Sequence, residues 1–425
     1  MTTRKELLPG VFLTSIQDGR FKTACFSLSF LRPLRAGEAA MNALLPSVLL
    51  RGSEKTPSIR AIADRLDELH AASIGALVRK KGEIQLTGLF ADCLEDQYAG
   101  EAVFSHLLDF VSELLFCPRT EHGAFVPELV SQECRNLQNA MQSVLDDKSA
   151  YCERQLLRAM CRGERYACGR LGEPEELDKI DVRTLWAHDK SVLASSRVEL
   201  FYLGSKSVGE AEALLQPLLA HLPRTACVPV GTNPSPLPQE LRRFSETMPL
   251  AQSRISLGFR TDVTLRSAQY PAMLLLNAML GGGEQNRLYT VVRGRMALCY
   301  EAGSWYDGHK GILAASAGCG RTDLPAVEQE ILHQLAARAA FHSLSWKRPA
   351  RGCFPICGCC ATAPAGSMNF TQAGQRRAFR KAPPNWPQRS APSRRRTSAP
   401  LRGACGPMRS IRWRKHELEG LSRAQ

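Results

Sequence analysis

The sequence predicts an α+β fold of two related layered domains, the second incomplete, followed by a disordered basic tail. Three observations carry that prediction. Strand and helix patterns mix along residues 11–222, similar ingredients return after a Pro-rich stretch at 228–240, and apolar periodicity stops near residue 336. The expected parts are residues 1–227, a linker at 228–243, residues 244–336, and a tail at 337–425.

The elements follow in order. Residues 11–14 and 24–31 read as strands, the second an apolar, β-rich run. Thr56-Pro57 forms a cap and first-turn pair that opens a helix with Ile59, Ile62, Leu66 and Leu69 on one face. A strand pattern at 83–90 precedes helical spacing in Val103, Leu107, Val111 and Leu114, then in 125–145 and 149–162. Residues 198–203 read as a strand and 209–222 as a helix. Pro229, Pro234, Pro236 and Pro238 mark the linker as extended chain. Beyond it, 253–261 is strand-like and 268–280 is an apolar helix that ends at Gly281-Gly282-Gly283. Residues 288–293 begin another helical run, and 299–305 with 311–317 pattern as paired strands.

Composition narrows the function classes. The chain has 425 residues and a formal net charge of +14, but seventeen of its 55 Lys and Arg lie in 346–425 beside only Glu417 and Glu419. Residues 1–345 therefore carry −1, so the basic character belongs to the tail. No 18-residue apolar run is present and the opening residues lack the apolar core of a signal peptide, which predicts a soluble cytoplasmic protein. The fifteen cysteines show no regular spacing and read as free thiols rather than a disulfide framework.

Several short segments, in order, carry a resemblance. They are Phe21-Lys22-Thr23, Leu50-Arg51-Gly52-Ser53, Gly172-Glu173-Pro174-Glu175-Glu176-Leu177, Gly281-Gly282-Gly283 through Arg287-Leu288-Tyr289, Val292-Arg293 and Leu298-Cys299-Tyr300. Over residues 1 to about 335 the chain resembles the insulinase family of zinc metallopeptidases, which includes pitrilysin and mitochondrial processing peptidase. More narrowly it is similar to a bacterial branch whose members lack the zinc motif. The resemblance implies two domains of mostly antiparallel sheet with helices packed on it.

In active relatives a helix carries His-x-x-Glu-His, two imidazoles stacked at i and i+4 to grip zinc with a Glu between them as general base. The corresponding places here hold Ala43, Pro46 and Ser47. None of these ligates zinc as His does or relays a proton as Glu does, so metal-assisted hydrolysis has no chemical basis at this spot. A third ligand, a Glu, typically follows seven residues after another Glu. Taking Glu133 as the earlier one puts Ala140 at the ligand position. Glu128 and Glu133 read as solvated helix-face charges, and His70 as a helix-end residue near the C-terminal dipole. Pro46 removes a helix hydrogen bond, so the local helix is expected to start, bend or stop there.

Arg293 and Tyr300 match the Arg and Tyr with which active relatives hold the substrate backbone from their second domain. An Arg clamps carbonyls or a carboxylate, and a tyrosine hydroxyl donates to an oxyanion; a surface Arg and a strand-packed Tyr are the plainer alternative. The resemblance implies a proteolytically inactive homologue without metal or other cofactor. It would act as a polypeptide-binding or regulatory subunit paired with an active zinc-peptidase relative in a heterodimer.

After 336 the family would continue with helix, strand and helix, but this chain turns to Arg, Pro, Ser, Ala and Cys. A reading-frame shift from about Ala339 would explain the change, because the shifted codons permit an amphipathic helix. Cys353, Cys357, Cys359 and Cys360 lack the usual pair spacing of a zinc site. Arg394-Arg395-Arg396 and Arg412-Trp413-Arg414-Lys415 supply the alternative, a nucleic-acid-associated protein acting through its tail by neutralising phosphates.

Overall fold

The computed structural model describes residues 2–234, 242–248, 252–341 and 409–417, the last nine as backbone. Most of the tail, with Cys353 to Cys360 and Arg394 to Arg396, lies outside the described residues, as do residues 235–241 of the linker.

In the first half the chain runs β1 (Thr2–Leu8), β2 (Val11–Gln17), β3 (Thr23–Pro33), α1 (Ala39–Leu49), α2 (Ile59–Glu68), β4 (Ser73–Lys81) and β5 (Ile84–Leu94). It continues through α3 (Asp96–Ala99), α4 (Val103–Phe116), the two-residue strands β6 (Thr120–Glu121) and β7 (Ala124–Phe125), α5 (Pro127–Asp146) and α6 (Lys148–Met160). It ends with α7 (Pro174–Leu177), α8 (Val182–Ser195), β8 (Arg197–Gly204) and α9 (Val208–Ala220). Six strands form one sheet in the order β1-β2-β8-β3-β5-β4. Only β2 and β8 pair in parallel. Apolar residues of β3, β5 and β8 meet α1 and α4 in a single core, where the Phe104 ring lies 6.3 Å from Phe26 and 5.0 Å from Tyr202. Burial of such side chains contributes about 1.5–3 kcal/mol each.

The second half builds β9 (Arg242–Met248), β10 (Ser253–Arg260), α10 (Tyr270–Asn277), two π-helical segments at Ala278–Gly282 and Leu288–Arg295, β11 (Cys299–Asp307), β12 (Ile312–Cys319), α11 (Leu324–Phe341) and β13 (Arg409–Glu417). Its sheet has the order β11-β12-β10-β13-β9, and a second core forms under α10, the π-helical segments and α11. The other face receives α6 from the first half. Cys152 and Leu156 pack on Ala314, and Met160 on Ile312, and a Cβ at Gly258 would come within 2.7 Å of the Met160 sulfur.

The two sheets repeat one order, with β9, β10, β12 and β11 standing where β2, β3, β5 and β4 stand. The repeat breaks in one slot. β8 runs parallel to β2 and antiparallel to β3, whereas β13 runs antiparallel to β9 and parallel to β10. After β5 the first half adds α3 to α9 and β8; after β12 the described residues add only α11 and β13.

The backbone of 409–417 pairs with both β9 and β10 and fills the gap between them, where unpaired backbone groups demand partners. Two expectations need correction. α11 runs past the expected boundary at 336. The cap of α2 is Ser58, whose Oγ accepts from the Ala61 N–H at 3.1 Å, while Thr56 instead donates to Glu113 at 2.7 Å.

Among the described residues no helix is long and apolar enough to cross a membrane. No disulfide joins any two of the ten cysteines there.

Candidate functional site

α1 carries Ala43, Pro46 and Ser47 at the i, i+3, i+4 spacing that puts them on one helical face. Ala43 and Pro46 are buried and Ser47 is partly so. Of the three outcomes expected at the proline, the helix neither starts nor stops there but continues to Leu49. The ring leaves the Asn42 carbonyl without its helical donor, and the Thr87 hydroxyl on β5 donates to it instead.

Both ends of α1 are tied as well. At the N-terminus the Ala40 N–H donates to the Glu176 carboxylate at 3.1 Å, where a negative charge also suits the helix dipole. Gly172 makes that approach possible: it has φ of +81°, and a Cβ there would lie 2.6 Å from the Ala40 nitrogen. At the C-terminus Arg51 pairs with Glu133 of α5, which also accepts from Asn136 at 3.0 Å. Glu133 is buried, so it is not the solvated charge that the sequence implied, whereas Glu128 is exposed. Ala140 lies exposed on α5, two turns beyond Glu133. His70 directly follows Leu69, the C-cap of α2, as expected; it is exposed with φ of +57°, and its Nε2 lies 2.7 Å from Glu101.

Behind α1 lies a buried polar cluster that sequence reasoning missed. The Asn42 side chain donates to Gln85 at 2.9 Å, and its oxygen meets His188 Nε2 at 2.8 Å. Gln85 in turn donates to the carbonyls of Ala39 at 2.9 Å and Arg170 at 2.8 Å. Burial pushes the His188 pKa down to about 4, helped by Arg32, so the ring is neutral near pH 7 and donates from Nε2. Burial pushes the neighbouring Asp189 up to about 6, against the pull of Lys190. Its Oδ2 lies 3.7 Å from the Lys190 ammonium, too far for a hydrogen bond, and no other partner meets it. A signal was available: His188 falls three residues after Leu185 and four before Val192, on the buried face of α8.

These groups fix α1 at both ends and along its side facing β5. Among the described residues no group of three or more His, Cys, Asp or Glu is placed to hold a metal.

Arg293 and Tyr300 lie in the second half. Arg293 lies in the last turn of the second π-helical segment with its guanidinium 4.7 Å from the centre of the Tyr289 ring, and Tyr300 on β11 is 66% exposed. Leu274, Leu275, Tyr289 and Met296 are further exposed apolar side chains on the same stretch.

Residues 179–342 match the family model described as the peptidase M16 inactive domain. A relative named probable inactive metalloprotease YmfF, from Bacillus subtilis, is 28% identical over 305 residues, which is 71% of each chain. Two solved structures share the fold. A conserved protein from Enterococcus faecalis superposes with a TM-score of 0.70 at 24% identity, over 80% of this chain and 79% of that one. A peptidase M16 inactive domain from Pseudomonas fluorescens gives 0.62 at 15% identity, over the same shares. Residues 179–342 are thus an inactive insulinase/pitrilysin-type M16 metallopeptidase domain, and the chain is related to the bacterial YmfF-like inactive paralogues.

Proposed function

We propose that this chain is a non-catalytic, polypeptide-binding or regulatory subunit that pairs with an active zinc-peptidase relative in the cytoplasm. On this reading residues 1–227 and 244–336 are two peptidase-like domains that form one wall of a shared chamber, and the partner supplies the metal. Arg293 and Tyr300 hold a peptide backbone, and the exposed Leu274, Leu275, Tyr289 and Met296 add apolar contact. The observation that supports this most is the contrast between the two regions. On this reading buried Ala43 and Pro46 and half-buried Ser47 stand where a metal site would be, while Arg293 and Tyr300 are accessible. An exposed aromatic and apolar surface of this kind marks an interaction site.

The test is to mix the purified chain with an active M16 peptidase from the same genome and measure mass by light scattering, then cleavage of an oligopeptide. A one-to-one complex, with turnover altered at least several-fold and the effect lost in Arg293→Ala/Tyr300→Ala, supports the reading. Two separate species with unchanged turnover would refute it. No observation favours the nucleic-acid alternative.

A further inference from the structure

The turn between β11 and β12 enters the first half and brings a buried lysine with it. Lys310 is 2% exposed and its ammonium reaches Glu83 at 2.6 Å, Glu164 at 3.0 Å and the carbonyl of Asn233 at 2.6 Å. Those partners come from three places: the β4–β5 turn, the segment after α6, and the linker. Arg260 on β10, also 2% exposed, pairs with Glu164 and donates to the Met160 carbonyl at 2.7 Å. Tyr166 donates to Asp307 at 2.6 Å, and the Lys80 ammonium sits 4.0 Å from the centre of the Tyr166 ring. The linker is held in the same place: the Glu83 N–H donates to the Thr232 hydroxyl at 2.9 Å, and the Asn233 N–H to Glu83 at 3.3 Å.

We propose that Lys310, Arg260, Glu83 and Glu164 form a latch that locks the two halves and the linker into one rigid body. A buried ion cluster gives little net stability over an apolar contact of the same shape, but it tolerates only one arrangement, since any shift strands a charge. Every pair in the latch joins residues of different halves. Opening the halves would expose Glu83 and Glu164 together with the face of α6, so the chain moves as a unit. Enclosure of any ligand then requires a second molecule. The latch stands on its own contacts and does not depend on the proposed pairing.

Hydrogen exchange on the full-length chain tests this. Lys310→Met should speed exchange about tenfold or more in peptides covering 82–84, 228–234 and 307–311, the scale of a lost charged hydrogen bond, while β3 and β12 stay protected. Tyr166→Phe, which keeps the ring and removes one hydrogen bond, should speed 307–311 alone by several-fold. Unchanged exchange at 307–311 in both variants would overturn the proposal. If Lys310→Met loses protection everywhere, the Tyr166→Phe result decides, and no selective change there refutes it.

Discussion

The Arg51 guanidinium rests on the Glu133 carboxylate and joins the turn after α1 to the helix that packs beside it. Both side chains are largely buried, at 17% and 7% exposure. The contact gives α1 and α5 a mutual tie made entirely of protein groups. Removing one partner strands the other charge, so Arg51→Met should cost about 3 kcal/mol. Arg51→Met/Glu133→Leu should recover much of that loss, because no buried charge remains. Urea unfolding of the single and double variants measures both, and equal stability of the two would contradict the account.

Thr87 and Pro46 form a second pair. If the Thr87 hydroxyl satisfies the Asn42 carbonyl that the proline leaves open, Thr87→Val should destabilise by about 1–2 kcal/mol. The double variant Thr87→Val/Pro46→Ala should lose less than Thr87→Val alone, since residue 46 regains an N–H aimed at that carbonyl. A double-mutant cycle that closes with simple additivity would contradict it.

His188 and Asp189 give opposite responses to pH. The His188 pKa is lowered to about 4, so its contribution is present above its unfolded value near 6.5 and lost as pH falls toward 4. The Asp189 pKa is raised to about 6. The folded state therefore takes up that proton first and gains stability as pH falls from about 6 toward the unfolded value near 3.9. Between pH 6 and 4 the two offset each other. His188→Gln should make stability rise on acidification relative to the parent chain, and Asp189→Asn should make it fall more steeply. Each slope change should approach about 1.4 kcal/mol per pH unit. Denaturant midpoints across this range read it, and parallel profiles for all three proteins would refute the assignment.

The reversed direction of β13 bears on the coding sequence. In the repeat set by β2, β8 and β3, the slot between β9 and β10 belongs to a strand antiparallel to β10. Resequencing should show that the shifted frame after codon 339 stays open and encodes a helical region, then a strand and a helix like β8 and α9. Stops in that frame, or no such pattern, would reject a frame shift and leave 409–417 as the intended strand.

Much of the fold was legible because interior elements carry period: β3, β5, β8, α4 and α5 stand where the apolar pattern placed them. β1 and β4 escaped because they are sheet edges. Thr2–Leu8 is mostly charged or exposed, and Ser73–Lys81 contains Gly75 and three basic residues. The proposed vacancy at Ala43, Pro46 and Ser47 rests on local spacing alone, which a sequence carries. How α1 accommodates those residues could not be read there, because Thr87, Glu133 and His188 meet α1 only in three dimensions. Glu133 did leave a trace, lying three residues after Val130 and four before Leu137 on the buried stripe of α5.

Central to the proposed function is that Ala43, Pro46 and Ser47 replace the zinc ligands and base, so that α1 cannot activate water with a bound metal. Elemental analysis of zinc after dialysis against a weak chelator, paired with an oligopeptide cleavage assay on the same sample, addresses it directly. The account predicts zinc far below one equivalent and no cleavage that o-phenanthroline abolishes. One tightly held zinc per chain with chelator-sensitive cleavage would contradict it.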